Sequence, residues 1–327
     1  MNTALAVNIH SAPLPESMSL WDVLELGAFC YPVTPFAPTL KGVCGLVDVE
    51  ITTGDEPATL AQAAEKLAAA LPPSDRLVDI VTFMTARGWK WGPYLCDIWG
   101  VAEDARKARL NTDKQLAVWE DLPRWEYAVD DDDVVPTPVS AAHILTRLEN
   151  LIQATTKTPE DRSTQQDYAA AVGNIWAHTE DNKSSFGLLE APTGVGKTLG
   201  YLSAALEVSQ SNKQSVWIST YTRNLQKQVE QTLDGLPDTP EYAVRKGRDN
   251  YLCLLKFHEQ AEKAGHYAVG FVARWLMATR HGDYVSDDFP RWLLRRYYAE
   301  GLADMTDKQG ECIYNACPHF RKCFIER

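Results

Sequence analysis

The sequence contains no run of 18 or more apolar residues, so no helical membrane span is expected. Residues 1–10 lack a basic stretch followed by a long apolar one, so no secretory signal is expected either, and the chain is assigned to the cytoplasm. Internal repeats and low-complexity tracts are missing. The seven histidines are scattered, and none pairs with a cysteine or carboxylate in a catalytic pattern. Seven cysteines without an export signal argue for a reducing compartment and against a disulfide framework.

What is present is the composition of folded domains: 45% apolar residues and ten tryptophans. A length of 327 residues suffices for two or three domains with their own cores. The net charge of −12 is unevenly spread. Residues 243–327 carry 14 Lys and Arg against 11 Asp and Glu, whereas the remainder carries 18 against 33. The acidity therefore belongs to the front of the chain, and the tail can still face a phosphate backbone.

The run Asp130-Asp-Asp-Asp133, followed by Pro136 and Pro138, marks a linker at residues 130–138, because like charges repel and proline interrupts regular structure. Residues 1–129 before it read as a separate α+β accessory domain, with a strand at 44–51 and helices near 57–71 and 77–87. Its aromatics, Trp89, Trp91, Tyr94, Trp99, Trp119, Trp125 and Tyr127, could stack bases but read better as core. Beyond the linker, residues 139–243 and 244–327 form two further segments. Helices are expected at 139–155, with Ile144, Leu145, Leu148 and Leu151 on one face, and at 165–178.

The most informative stretch is Glu190-Ala-Pro-Thr-Gly-Val-Gly-Lys-Thr198. An apolar run at 186–189 reads as a buried strand before it, and 199–206 reads as a helix after it. Ala191, Pro192, Thr193, Gly194, Val195 and Gly196 form a phosphate-cradling loop, in which the glycines let successive N–H groups face one anion. Lys197 can reach the β- and γ-phosphates of ATP, and the Thr198 hydroxyl can ligate Mg²⁺. A second strand at 215–220 and a helix at 224–236 follow, the start of a doubly wound α/β domain with a parallel sheet. The polar turn carrying Thr220, Thr222, Asn224 and Gln226 lies where such sheets bind ligands, and its groups suit a sugar-phosphate backbone. Thr220 or Thr222 can equally cap the following helix.

Cys253, Cys312, Cys317 and Cys323 are spaced C-x₅₈-C-x₄-C-x₅-C. Four thiolates are what a [4Fe–4S] cluster needs. Structural zinc sites usually combine two C-x₂₋₄-C or similar pairs, whereas here Cys253 is distant and Cys323 follows after five residues, so iron–sulfur is preferred over zinc and over unliganded thiols. Cys30, Cys44 and Cys96 read as small core residues, and His319 as a neighbour of the cluster, not a ligand. Between the first two cysteines of the pattern lie Arg274-Trp275, Arg280 and Arg291-Trp-Leu-Leu-Arg-Arg-Tyr-Tyr298. Arg291, Arg295 and Tyr298 share a helical face that can track phosphates and stack bases of a single strand. The plainer alternative puts Trp292 and Tyr297 in a core behind a solvated basic face.

Residues 158–327 resemble the superfamily 2 helicases related to XPD and DinG. The resemblance rests on residues 190–198 as motif I, 219–228 as motif Ia, Arg162 and Gln165 as an adenine-recognising element, and Arg245-Lys-Gly-Arg-Asp-Asn-Tyr-Leu-Cys253, which in that family introduces an iron–sulfur domain. It implies a RecA-like first motor domain with a parallel sheet and an inserted helical iron–sulfur domain, ATP and Mg²⁺ as ligands, and single-stranded and forked duplex DNA as partners. It also implies 5′→3′ unwinding. Relatives with N-terminal extensions work in DNA repair or beside CRISPR effector complexes, so a protein partner recruited by residues 1–129 is conceivable. The Val47-Asp-Val-Glu-Ile-Thr-Thr-Gly54 segment is similar to the Asp-x-Glu-Thr start of DnaQ-like exonucleases, but Ile51 displaces the threonine by one place and a plain strand is expected.

No apolar strand ending in Asp-Glu-x-His follows the phosphate loop, and no second motor domain is expected within these residues. The sequence therefore reads as part of a longer helicase, with little turnover on its own. Two alternatives stand beside this reading: a non-motor iron–sulfur module that binds DNA or senses redox state, and a phosphate-loop kinase or other small-molecule enzyme, which the cysteine pattern and the 219–228 segment disfavour.

Overall fold

A computed structural model describes residues 3–6, 19–110, 115–126, 137–155, 162–177, 186–236, 240–263, 265–285 and 289–326. The chain divides into two compact units, residues 1–127 with 245–327, and residues 128–244. In the first unit, β1 (Thr3–Ala6) pairs in parallel with β2 (Ser19–Asp22). There follow α1 (Val23–Cys30), α2 (Leu40–Gly45), α3 (Glu56–Ala69), α4 (Asp75–Ala86), α5 (Trp91–Ile98) and α6 (Glu103–Leu110). The second unit contributes α7 (Ala141–Thr155), α8 (Ser163–Ala177), α9 (Lys197–Asn212) and α10 (Arg223–Asp234). The chain then returns to the first unit with α11 (Leu254–Lys263), α12 (Val269–Leu276) and α13 (Arg291–Arg296).

Local chemistry sets the helix starts. Thr39, Ser74 and Asp55 each accept a backbone N–H in the first turn of α2, α4 and α3, with Pro57 just inside α3. Helix α1 is buried on every face, and α12 nearly so, which requires protein around both. They meet each other through Trp89, in the turn after α4: Phe29 packs on Trp89 with ring centroids 4.9 Å apart, and Trp89 meets Phe271 edge-on at 5.9 Å. A Cβ at Gly270 would lie 2.4 Å from Cγ of Met84, so α12 approaches α4 as closely as a glycine allows. One hydrophobic core thus takes residues from α1, α3, α4, α5, α11, α12 and α13. Segments 1–129 and 244–327, which the sequence treats as separate domains, are built around that shared core. Trp89 and Trp91 lie within it, as do Cys30, Cys44 and Cys96. Burial pushes the Cys30 thiol up to about 12, against the opposing pull of Arg274.

The expected strand at 44–51 is not formed. Cys44 belongs to α2, and the chain then turns through Asp48 in the left-handed region at φ +50°. Lys66 donates to the carbonyls of Val47 and Asp48 at 3.3 and 3.2 Å, fixing that turn. The period-2 pattern Val47, Val49, Ile51 therefore reflects a loop lying over α3, and the exonuclease-like alignment has no strand to stand on.

In the second unit, α7, α8 and α9 pack around Val139, Ile144, Leu148, Ala169, Ala204 and Val208. Leu151 and Leu202 continue that surface beneath Val229, Leu233 and Leu236 of the α10 region. Arg147 bridges α7 to Glu207 of α9 at 3.0 Å. The strands expected at 186–189 and 215–220 are not formed: neither segment has a ladder partner among the described residues. Phe186, Leu188 and Trp217 are accordingly 92, 90 and 83% exposed. A helix closes its hydrogen bonds within itself, whereas a strand exists only beside another. The parallel sheet is therefore missing among the described residues, although the helices expected around it are present. No helix among the described residues is long and apolar enough to cross a membrane.

Candidate functional site

The phosphate loop leads into α9. Gly194 and Gly196 take φ +87° and +82°, the left-handed region that other residues adopt only under strain, and Gly196 is the residue from which the helix starts. The first free N–H groups of a 16-residue helix therefore open at the loop, where an anion is favoured. Lys197 folds back and donates to the carbonyls of Ala191 at 3.0 Å and Pro192 at 2.8 Å. Those bonds hold the ammonium against the loop. Pro192, Thr193 and Gly194 are exposed, while Ala191, Val195 and Thr198 are half-buried. Tyr201, one turn on, is hydrogen-bonded with Thr198, and burial raises its hydroxyl.

Gln165 lies beside the phosphate loop. It is 3% exposed, and its Nε2 donates to the Gly196 carbonyl at 2.9 Å. Arg162 Nη1 approaches its Oε1 at 3.4 Å. The pair expected to read adenine is wired to the phosphate loop itself. A Cβ at Gly196 would lie 2.3 Å from that Gln165 nitrogen.

At the start of α10, Thr222 caps the helix by accepting the Leu225 N–H at 3.2 Å, and Thr220 donates to the Thr222 carbonyl at 3.2 Å. Asn224 is exposed and Gln226 half-buried. The capping role is thus present, and the polar groups remain at the surface.

The four cysteines lie in the first unit, each half-buried. Cys253 donates its N–H to Met305 at 2.8 Å, just after the antiparallel bridges Tyr251–Asp283 and Leu252–Thr306. Cys312 Sγ accepts from Tyr314 N and from Arg248 Nη1, both at 3.5 Å. Burial raises the Cys317 thiol, the N–H of His319 opposes it, and the charges of Cys253 and Cys312 add to the rise. Burial raises Cys323 as well, opposed by N–H groups of Ile325 and Glu326, while Cys253 adds to it. Cys317 thus lies within electrostatic reach of Cys253 and Cys312, and Cys323 within reach of Cys253. Among the described residues, no three His, Cys, Asp or Glu side chains converge on a single metal ion.

In the basic segment, Arg291 and Arg295 are exposed on α13, and Tyr298 follows it with 68% of its surface free. Arg291 also donates to the Val285 carbonyl at 2.8 Å. Tyr297 is buried, and Trp292 packs edge-on against Phe36 with centroids 6.0 Å apart. Trp275 is fully buried, and Arg274 caps α1 by donating to the Phe29 carbonyl at 3.0 Å, so this pair is structural.

Sequence reasoning missed a buried network on Glu25. Its carboxylate accepts from Trp89 Nε1 at 3.0 Å and from the hydroxyls of Tyr267 and Tyr297, and it pairs with Arg296 at 3.3 Å. The available signal was an acid inside the apolar octapeptide Val23–Cys30. His319 is buried and shares a hydrogen bond with His258 at 3.0 Å.

Residues 152–261 match the family described as Type III restriction enzyme, res subunit. The ATP-dependent DNA helicase YoaA of Escherichia coli (strain K12) is 31% identical over 154 residues, 42% of this chain and 22% of that protein. The ATP-dependent helicase DinG of Mycobacterium tuberculosis (strain ATCC 25618 / H37Rv) is 31% identical over 195 residues, 51% of this chain and 28% of that protein. A protein named 3′-5′ exonuclease DinG from Bacillus subtilis (strain 168) is 38% identical over 115 residues, 32% of this chain and 12% of its own length. The chain thus spans about a quarter of the two helicases. No solved structure matches it.

Proposed function

From the premise that this chain belongs, over part of its length, to the DinG-related superfamily 2 helicases, we propose that it carries the nucleotide-gripping part of an ATP-dependent DNA helicase. The observation that carries this reading is Lys197, held over a two-glycine loop at the N-terminus of α9.

ATP binding would exchange the Ala191 and Pro192 carbonyls for phosphate oxygens as acceptors of the Lys197 ammonium, a charge-assisted gain. The N–H groups at the start of α9 would meet the same phosphates, and the Thr198 hydroxyl would hold Mg²⁺. Because Gln165 grips the Gly196 carbonyl, movement of the loop on nucleotide binding would reach Arg162 and Gln165 directly. In the whole protein this would drive stepping along single-stranded DNA and opening of a forked duplex, with 5′→3′ polarity by family likeness. The parallel RecA-like sheet, with strands at 186–189 and 215–220, belongs to the same proposal. Thr220, Thr222, Asn224 and Gln226 would face the strand's backbone, and Arg291, Arg295 and Tyr298 would bind strand from the first unit.

Cys253, Cys312, Cys317 and Cys323 would hold a [4Fe–4S] cluster, whose chemistry when bound is to cross-link the fold and carry a single electron reversibly. The test is Lys197→Ala in the full-length protein. DNA-stimulated ATP hydrolysis should fall by about 100-fold or more, the scale of removing a preorganised charge from phosphoryl transfer. Intact hydrolysis would sink the reading.

A second reading, a non-motor iron–sulfur module that binds DNA or senses redox state, draws support from one observation: the cysteine-bearing unit has a core of its own. It predicts strand binding that survives Lys197→Ala and changes when the thiols' metal centre is oxidised.

A further inference from the structure

Residues 118–126, the stretch before the acidic linker, lie across the loop that joins the third and fourth cysteines of the pattern. Lys322 Nζ donates to the carbonyls of Trp119 and Glu120 at 2.8 and 2.6 Å. Trp125 donates its backbone N–H to Arg321 at 2.9 Å and its indole N–H to the Phe320 carbonyl at 3.1 Å. The Arg321 guanidinium stands 5.5 Å from the centre of the Trp125 ring. Trp119 lies on His258 with centroids 4.1 Å apart and meets His319 edge-on at 5.6 Å. Every residue from 319 to 322 is therefore touched by this stretch.

Its other side is anchored. Arg76 of α4 pairs with Asp121 at 2.7 Å and Glu120 at 3.5 Å, and Val118 is buried in the core. Between Cys317 and Cys323 the gripped loop forms a single 3-10 turn, Phe320–Lys322, and His319 also bonds His258 at 3.0 Å.

We propose that residues 119–125 are a strap that fixes the Cys317–Cys323 loop and keeps water, oxygen and chelators from those two thiols. The N-terminal segment thereby becomes part of the cysteine module, with Trp119, Trp125 and Lys322 as positioning residues. The spectroscopic arm of the test rests on the iron–sulfur reading; the thiol arm does not.

The experiment uses the full chain, purified anaerobically, with Trp119→Ala, Lys322→Met and the conservative Trp119→Phe. In metal-free protein, alkylation of Cys317 and Cys323 by iodoacetamide is timed by mass spectrometry, with buried Cys30 as internal reference. In loaded protein, iron loss to a ferrous chelator is followed by visible absorption. Trp119→Ala and Lys322→Met should speed both processes about tenfold or more, Cys30 should stay protected, and Trp119→Phe should restore slow rates. Rates equal to wild type in either arm would overturn the strap. A rise in Cys30 labelling would mark unfolding of Trp119→Ala, and Lys322→Met, at a half-buried side chain outside the core, would then decide. Wild-type protein that never binds iron, yet shows strap-dependent thiol protection, would sink the iron–sulfur reading and uphold the strap.

Discussion

The guanidinium of Arg296 stands 3.3 Å from the carboxylate of Glu25, joining α1 to α13 across a shared core. Both groups are nearly sealed from water, with side chains 14 and 4% exposed. A buried ion pair of this kind contributes less than its Coulomb energy suggests, because both ions lose hydration. Removing one partner is a different matter.

Glu25→Ala leaves a buried cation and strips an acceptor from Trp89, Tyr267 and Tyr297 at once. A loss of about 3–5 kcal/mol in unfolding free energy is expected. Glu25→Gln, which keeps an acceptor oxygen, should lose less. Denaturant titration of the three proteins, followed by tryptophan fluorescence, checks the order. Equal stability of Glu25→Ala and wild type would remove this network as the join between the segments.

The same network makes stability fall on the alkaline side. Burial, reinforced by the Glu25 charge, raises Tyr267 from 10.0 to about 12 and raises Tyr297 too. A group whose folded value is raised contributes stability that is fully present below its unfolded value. That contribution disappears as pH climbs toward the folded value. Unfolding should therefore become easier between pH 10 and about 12. Tyr267→Phe should flatten this dependence. Tyrosinate absorbance measured alongside circular dichroism would show the buried hydroxyls ionising only with unfolding. Ionisation well before unfolding would contradict the geometry.

Helices and loop chemistry were legible in the sequence because their causes are local. Ile144, Leu148 and Leu151 repeat at helical spacing, Thr222 is a capping residue, and Gly194 and Gly196 are where left-handed backbone is needed. Strands were not legible, because a strand depends on a neighbour that no local signal names. Val47, Val49 and Ile51 alternate like a strand but form a loop, and Phe186 and Leu188 read as buried yet lie exposed. Gln165 was found by motif, but its bond to Gly196 was not, since 31 residues separate them. Arg274 and Trp275 stood out only as part of a cation- and aromatic-rich segment, because composition cannot tell a capping arginine from a phosphate-binding one.

Helix contact in the first unit can be tested through Gly270 and Met84. A methyl group at position 270 would sit 2.4 Å from Met84 Cγ and 2.5 Å from its sulfur. Gly270→Ala should cost about 1–3 kcal/mol, the usual penalty for overpacking a filled core. Methionine is flexible, so Met84→Ala in the same protein should recover part of that cost. A double-mutant cycle measured by thermal unfolding would give a coupling of opposite sign to the single effects. Strict additivity would mean that α4 and α12 do not touch here.

Gly196→Ala is the corresponding test at the phosphate loop, and it separates binding from folding. Alanine at φ +82° costs about 1–2 kcal/mol locally, and its Cβ would press on the Gln165 amide at 2.3 Å. The contact is to the end of a side chain, so the helices around it can stay folded while Gln165 is driven off the Gly196 carbonyl. Nucleotide affinity should fall by tenfold or more on the order of that strain. Gln165→Ala, which removes the obstruction, should restore part of the loss in the double variant. Titration with a fluorescent ATP analogue measures affinity, and circular dichroism verifies the fold. Unchanged affinity in folded Gly196→Ala would mean that ATP does not use this loop, whatever its likeness to motif I.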